Sequence, residues 1–471
     1  MDQHSFSTET GLDFGLEEAA SVVQSLRGRF SSRRTRPLSW RDGQLKAFQA
    51  MLSDRQDIFH EALRADLGRC RFEAWIAETG FLANEAAHVR KHLRAWTRPE
   101  RVFTPLVHQP GRSTIRREPL GVVLIIGPWN YPLQLVLAPL VGAIAAGNCA
   151  VLKPSELAPN TAAAIAEWIP EYLDAECVRV VQGGVQETEA LLAQRFDHIF
   201  YTGSGRVGRV VMEAAAKHLT PVTLELGGKS PVVVDRDVDL ERAARRIAWG
   251  KFFNAGQTCV SPDYALVDRA IEADFVERLR ANIRAFYGSE PRSSPDYARV
   301  VNDRHFARLQ GLLQSGRVAE GGDSDPDERY IAPTILREVP DDAPVMQDEI
   351  FGPILPVVPV DGVKDAIARI NARPKPLALY VFSKRQRAID DVIEQTSSGG
   401  VCVNDTLAHL SIPDLPFGGV GESGMGAYHG RESFEVFSHR RGVLEKGTRI
   451  DPALRYPPYD EHKLKWAKRL V

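Results

Sequence analysis

Apolar residues fall at helical spacing over residues 15–30 and 41–66, where Leu45, Phe48 and Leu52 share a face, and again over 73–97. Pro99, Pro105, Pro110 and Gly111 interrupt the pattern, so the chain to about Glu118 reads as extended or as a hairpin. Beyond it, short apolar runs alternate with helical segments. Candidate strands are Val122–Ile126, Ala150–Lys153, Val178–Val181, His198–Thr202 and Val222–Leu226. Between them lie candidate helices at Leu133–Ala146, 160–169, 186–193 and 206–218, the last with Val207, Val210, Val211, Ala214 and Ala215 on one face. Such alternation predicts a parallel, doubly wound sheet with ligands at the carboxyl ends of its strands. Residues 230–400 repeat the rhythm more loosely. Strands are expected at Val232–Val234, Tyr264–Val267 and Val401–Val403, and helices at 240–253, 271–287 and 363–372. After Asn404 the chain turns glycine-rich.

From Leu120 to Leu152 there is no charged residue, a stretch longer than the ~20 residues of a spanning helix. Gly127, Pro128, Pro132, Pro139, Gly142 and Gly147 interrupt it, so it reads as strand, loop, buried helix and second strand. The 471 residues suggest about three domains, at roughly 150 residues each. A formal net charge of −2 supplies no field to gather nucleic acid or an acidic membrane. Arg33, Arg34 and Arg36 read as a solvated face. Cys70, Cys149, Cys177, Cys259 and Cys402 are odd in number and widely spaced, so reduced intracellular thiols are expected rather than disulfides or a zinc site. Met1 to Glu17 carries acids and no apolar core, unlike a secretory signal, and Asp451–Val471 is charged. A cytoplasmic location is the expectation.

Gly203-Ser204-Gly205-Arg206-Val207-Gly208 matches the G-x-G-x-x-G pattern, follows a strand and opens a helix. It reads as a dinucleotide cradle or as a tight packing turn. The general rule would give the ribose to an acid about 20 residues on, near Glu225. Glu225, however, ends an apolar strand in Leu224-Glu225-Leu226-Gly227-Gly228-Lys229. There it is either a poorly solvated base or a buried partner of lysine. Cys259 lies in Phe253-Asn-Ala-Gly-Gln-Thr-Cys-Val260, a small-residue loop that lets a substrate approach the backbone. A thiolate there suits attack on an aldehyde carbon, because the adduct can expel hydride and become a thioester. A small buried hydrophobe is the other reading. Asn130, in Pro128-Trp129-Asn130-Tyr131-Pro132, is either an oxyanion donor or a turn residue before proline. His88 and His92 stand one helical turn apart but lack a third ligand, so they read as a basic face and no metal is expected.

Taken together and in order, these motifs resemble the aldehyde dehydrogenase superfamily over nearly the whole chain. The resemblance implies that Cys259 is the nucleophile, Glu225 the general base and Asn130 the oxyanion donor. It gives the adenine ribose to Lys153 and Glu156, in Lys153-Pro-Ser-Glu156. The pyrophosphate falls to Trp129 and the Gly203, Ser204, Gly205, Arg206, Val207, Gly208 loop, with Leu226 beside the cofactor. Glu349 and Phe351, in Glu-Ile-Phe-Gly-Pro, would position the nicotinamide ribose. Thr35-Arg-Pro-Leu38, Gly421–Gly430 and Arg455-Tyr-Pro-Pro-Tyr459 are similar to the class 3 branch of fatty, aromatic and coniferyl aldehyde dehydrogenases. Arg206 stands where much of the superfamily has an acid, and the apolar tail of membrane-bound relatives is missing. The fold implied is α/β: a Rossmann-type NAD domain (15–98 and 119–225), an α/β catalytic domain (226–412), a small bridging β arm (99–118 and 413–445) and a C-terminal tail (446–471). The activity implied is oxidation of an aldehyde to an acid with NAD, NADP being usable, in a homodimer without an integral membrane segment. A cysteine acyl-transferase or thioesterase on the same fold is the alternative.

Overall fold

The computed structural model describes residues 14–470, so most of the segment read as lacking a signal lies outside the described residues. Continuous apolar runs become central strands. One sheet has six strands in the order Gly424–Met425, Val222–Glu225, His198–Thr202, Val122–Ile126, Cys149–Lys153, Val178–Val180, all parallel except the first. Both faces of it are covered, as a parallel sheet requires. Val123 and Ile125 pack into the core with Leu45, Phe48, Leu82 and the helix Gln134–Ala146, whose residues are all buried. Val122 and Leu124, pointing the other way, pack with Val23, Leu26, Leu191 and Val211. The uncharged stretch from Leu120 to Leu152 is thus strand, loop, buried helix and strand. Among the described residues, no helix is long and apolar enough to cross a membrane.

A second sheet has seven strands in the order Arg317–Glu320, Thr334–Arg337, Ile354–Val360, Tyr264–Asp268, Pro231–Val234, Ala378–Phe382, Gly400–Val403, parallel except at Arg317–Glu320. A third is an antiparallel arm of Glu100–Val102, Gly111–Pro119 and Ser438–Lys446, with a nine-residue register between the last two. Residues 413–445 were expected to belong wholly to this arm and are in fact divided. Gly424–Met425 extends the first sheet, and Ser433 packs against Gly142 so closely that a β-carbon on that glycine would lie 2.6 Å from a backbone oxygen.

The helix expected over 41–66 is two, Leu38–Asp54 and Gln56–Leu67, broken at Arg55. The helix expected over 73–97 runs Arg71–Ala74, then a π turn at Trp75–Thr79, then Gly80–Trp96. Ile354–Val360 and Ala378–Phe382 escaped the sequence reading. The first contains Pro356 and Pro359, which argue locally against a strand.

Candidate active site

Two cavities meet where residues just past the carboxyl ends of the first sheet's strands, among them Trp129, Gly203 and Leu226, approach Cys259, Glu349 and Phe351. The first, about 290 Å³, is lined mainly by apolar and aromatic side chains, among them Phe81, Leu135, Trp249, Phe253, Leu407 and Phe417. The second, about 210 Å³, is more polar and is lined by Trp129, Asn130, Gly203, Ser204, Glu225, Leu226, Glu349 and Phe351. Cys259 and Leu135 line both. The thiol therefore stands at a junction that two molecules can reach from different sides.

Local backbone geometry brings the thiol there. After the helix Leu240–Phe252 ends, Asn254 (φ 51°) and Ala255 (φ 51°) adopt left-handed conformations, followed by Gly256 (φ 73°). For the two non-glycine residues this costs roughly 1–2 kcal/mol each. Hydrogen bonds compensate: Asn254 N–H donates to Glu73 Oε2 (3.1 Å), and its side-chain amide donates to the carbonyls of Asn130 (3.0 Å) and Gln257 (3.1 Å). Asn130 Nδ2 donates to the same Gln257 carbonyl at 3.1 Å. That contact fixes which end of the carboxamide is the donor and leaves its second N–H for the cavity.

Burial pushes the Cys259 thiol up, and the neighbouring Glu349 and Glu225 push it further, against the backbone N–H groups of Cys259 and Val260. Glu225 is itself held well above the carboxylate range by burial, and neither of its oxygens has a hydrogen-bond partner among the described residues. Burial likewise pushes Glu349 up to about 8, opposed by a backbone N–H at Gly228, Lys229 and Arg308. Both carboxyls are thus shifted toward the neutral form by burial, which weakens the negative charge they set against the thiol.

The family model of the aldehyde dehydrogenase family matches residues 13–443. The chain is 49% identical over 468 residues to aldehyde dehydrogenase family 3 member B2 of Mus musculus, covering 98% of each. It is 51% identical over 445 residues to the dimeric, NADP-preferring aldehyde dehydrogenase of Rattus norvegicus, covering 94% of this chain and 98% of the relative. The solved substrate-bound state of Staphylococcus aureus AldH superposes with a TM-score of 0.94 at 46% identity, covering 96% and 98% of the two chains. The chain belongs to the aldehyde dehydrogenase family. A Mycobacterium tuberculosis aldehyde dehydrogenase, complexed with NAD+, superposes with a TM-score of 0.83 at 29% identity over 93% of this chain and 92% of that one.

In this aldehyde dehydrogenase, the second cavity brings together Asn130, Glu225, Cys259, Trp129, Gly203, Ser204, Leu226, Glu349 and Phe351. Lys153, Glu156, Gly205, Arg206, Val207 and Gly208 do not line it. Lys153 ends the neighbouring strand; its buried ammonium donates to the Pro154 carbonyl (2.9 Å) and lies 3.8 Å from the half-exposed Glu156 carboxylate. Gly205 to Gly208 form the first turn of the helix Gly205–Ala216, where Ser204 Oγ accepts from Val207 N–H at 3.4 Å. Gly208 N–H donates to the Ser204 carbonyl (2.9 Å), so the N–H groups of Gly205 and Arg206 remain for an anion, which fits a dinucleotide diphosphate. Gly208 packs on Leu226, so that a β-carbon there would lie 2.9 Å from the leucine. The sequence reading missed His305 and Arg308, which line the same cavity from the helix Asp303–Leu312. The His305 ring lies 5.0 Å from Trp129, and Arg308 donates to the Ile350 carbonyl at 2.6 Å. It also missed Arg69, Glu73, Glu78 and Asn254, which have no distinctive spacing.

An unfolded glutamate ionises near pH ~4.3, whereas burial keeps Glu225 protonated in the fold to well above that. Its stability contribution is therefore complete in acid and lost as pH rises toward the folded-state value. Thermal melts of Glu225→Gln should exceed wild type at pH 8, with the gap closing as pH falls to 4. Identical melts at pH 8 would mean that this carboxyl is not held neutral.

Proposed function

We propose that the chain oxidises a lipophilic aldehyde, long-chain aliphatic or aromatic, to its carboxylic acid with reduction of NAD, through a thioester on Cys259. The observation that carries this reading is the shared position of Cys259 between a cavity walled by apolar and aromatic side chains and one that also carries Asn130, Glu225, Arg308 and Glu349. The apolar side suits the aldehyde's substituent. The polar side, with the helix N-terminus beyond it, suits a dinucleotide, which when bound accepts hydride. A redox-free acyl-transferase would have no use for that second approach.

In the proposed mechanism, Cys259 reacts as the thiolate, its proton released to solvent; the sulfur bonds to the aldehyde carbon as the carbonyl π electrons move to oxygen. The free N–H of Asn130 and the backbone near Cys259 hold that oxyanion. Loss of hydride restores the carbonyl as a thioester. Glu225, in its ionised form, takes a proton from water as the water oxygen bonds to the thioester carbon. The C–S bond then breaks, releasing the acid and the Cys259 sulfur. Trp129, Ser204, the first turn of Gly205–Gly208, Leu226, Glu349 and Phe351 would hold the dinucleotide, with Lys153 and Glu156 at its adenine ribose.

The same reading gives a homodimer in the cytoplasm. The outer edge of Gly400–Val403 pairs with no strand among the described residues, and open strand edges need cover. The arm projects Phe103 (87% exposed) and Leu106 (75% exposed). A partner copy would bury both. The rat relative is itself named dimeric.

Cys259→Ala should abolish NADH formation at 340 nm across a panel of alkanals, benzaldehydes and cinnamaldehydes, while cofactor affinity stays near wild type. Activity within about tenfold of wild type would sink the thioester reading.

Glu156 should bind the ribose hydroxyls of NAD and repel a 2′-phosphate, with Lys153 partly offsetting its charge. Glu156→Gln is therefore expected to raise the NADP/NAD ratio of kcat/KM. An unchanged ratio removes Glu156 from that ribose.

Light scattering coupled to gel filtration should give about twice the 52.2 kDa chain mass. A monomer at micromolar concentration, or a stable tetramer, contradicts the dimer.

A further inference from the structure

Arg69 lines neither of these two cavities, yet it is the largest fully buried side chain among the described residues, and all three of its nitrogens are engaged. Nη2 donates to the Asn130 carbonyl (2.5 Å), Nε to Asn254 Oδ1 (3.3 Å) and Nη1 to Glu78 Oε1. The flat of the guanidinium lies over Tyr131, 4.6 Å from the ring centroid. Glu78 passes the restraint on. Its second oxygen accepts from the backbone N–H groups of Leu133 (3.1 Å) and Gln134 (2.6 Å), just beyond the Asn130 turn. Asn254 passes it the other way, into the loop that ends at Cys259, through its bond to the Gln257 carbonyl. Tyr131 closes the circuit, its hydroxyl 2.6 Å from Thr258 Oγ1.

We infer that Arg69 is a positioning residue that holds the Asn130 turn and the Cys259 loop at one spacing, so that the free Asn130 N–H points where an oxyanion forms on the carbon attacked by sulfur. This rests on the proposed oxyanion role of Asn130. A planar fork carries the function because three acceptors lie around one plane, stacked on a ring. An ammonium has the charge but neither the fork nor the stacking face. The substitution that isolates the geometry is therefore Arg69→Lys.

The test is a kinetic cycle on the full-length enzyme with NAD and hexanal, alongside thermal melts. A misplacement of about 1 Å costs roughly a hundredfold in rate. Arg69→Lys should lower kcat by about that factor while the hexanal KM and the NAD Kd stay within about threefold. A merely structural role would move all three together with the melt, and that result overturns the proposal. In an Asn130→Ala background the same Arg69→Lys change should cost less than about threefold, because the group it positions is gone. Costs that multiply in the double variant break the link between Arg69 and Asn130. An Asn130→Ala enzyme with unaltered kcat overturns the oxyanion role itself, a result distinct from the other two. If Arg69→Lys does not fold, Glu78→Gln takes its place in the same cycle. A kcat loss confined to the Asn130 background supports the circuit, and an unaltered kcat overturns it.

Discussion

An arginine with no exposed surface has to spend its donors inside the protein, and what it spends them on becomes fixed. Arg69 ties two chain segments that are otherwise distant in sequence, the Asn130 turn and the Asn254–Cys259 loop, to one buried carboxylate. Removing one partner of a buried ion pair costs roughly 3–5 kcal/mol, because the other charge is left unpaired. Such a pair adds little net stability over an apolar replacement, but it admits few alternative arrangements. The π turn at Trp75–Thr79 belongs to the same constraint. Residues five apart on an α-helix point in different directions, whereas a π turn repeats after about five. It therefore lets Glu73 and Glu78 both face inward, one toward the Asn254 N–H and one toward Arg69. Gly80 closes that turn; a β-carbon on it would lie 2.8 Å from the Trp75 ring.

With the loops held, the electrostatics of the junction follow from how little water reaches it. The thiol, Glu225 and Glu349 are all pushed up by burial before any neighbour is considered. A dry carboxyl without hydrogen bonds is a poor stabiliser and a strong base once ionised, which suits a step that needs a proton removed from water. Glu225 has this character because it is buried and neither of its oxygens finds a hydrogen-bond partner among the described residues. Glu349 differs: burial and Asp263 push it up, while a backbone N–H at Gly228 and the cations Lys229 and Arg308 partly offset them.

Much of this was legible in the sequence, and the exceptions share a cause. Strands such as Val122–Ile126 and His198–Thr202 announce themselves because both of their faces are buried, which leaves an unbroken apolar run. Cys259, Glu225 and Asn130 stand out because a polar residue at the end of such a run, or in a small-residue loop, is locally odd. Arg69 and Glu78 are not locally odd. Arg69 lies in the short link between two predicted helices and Glu78 in a helix-like stretch, both positions where a charged residue is ordinary, and only tertiary packing buries them. The strand Ile354–Val360 was hidden for the opposite reason. Its prolines break the local rule, and the tertiary setting overrides them. The split of residues 413–437 away from the arm depends on Gly424–Met425 pairing with Val222–Glu225, a contact between segments some 200 residues apart that local pattern cannot foresee.

The glycines sharpen that distinction. Those of Gly203–Gly208 are visible as a pattern, yet the tightest approaches at the junction involve glycines without one. A β-carbon at Gly227 would lie 2.1 Å from a Glu349 carboxylate oxygen, and one at Gly256 would lie 2.2 Å from the Gly352 carbonyl. The segment Glu349–Gly352 is therefore pressed against both the end of the Glu225 strand and the Cys259 loop, with Phe351 in a left-handed conformation (φ 50°) and its ring 5.3 Å from Trp129. An alanine at Gly227 would displace only the Glu349 carboxylate, whereas one at Gly256 would meet the Gly352 backbone and have to move the segment that carries Phe351. Backbone contact at Gly256 thus fixes how closely the segment Glu349–Gly352 approaches the loop that carries Cys259. The two cavities are for that reason joined at Cys259, which lines both and whose loop is held by the Gly256 contact.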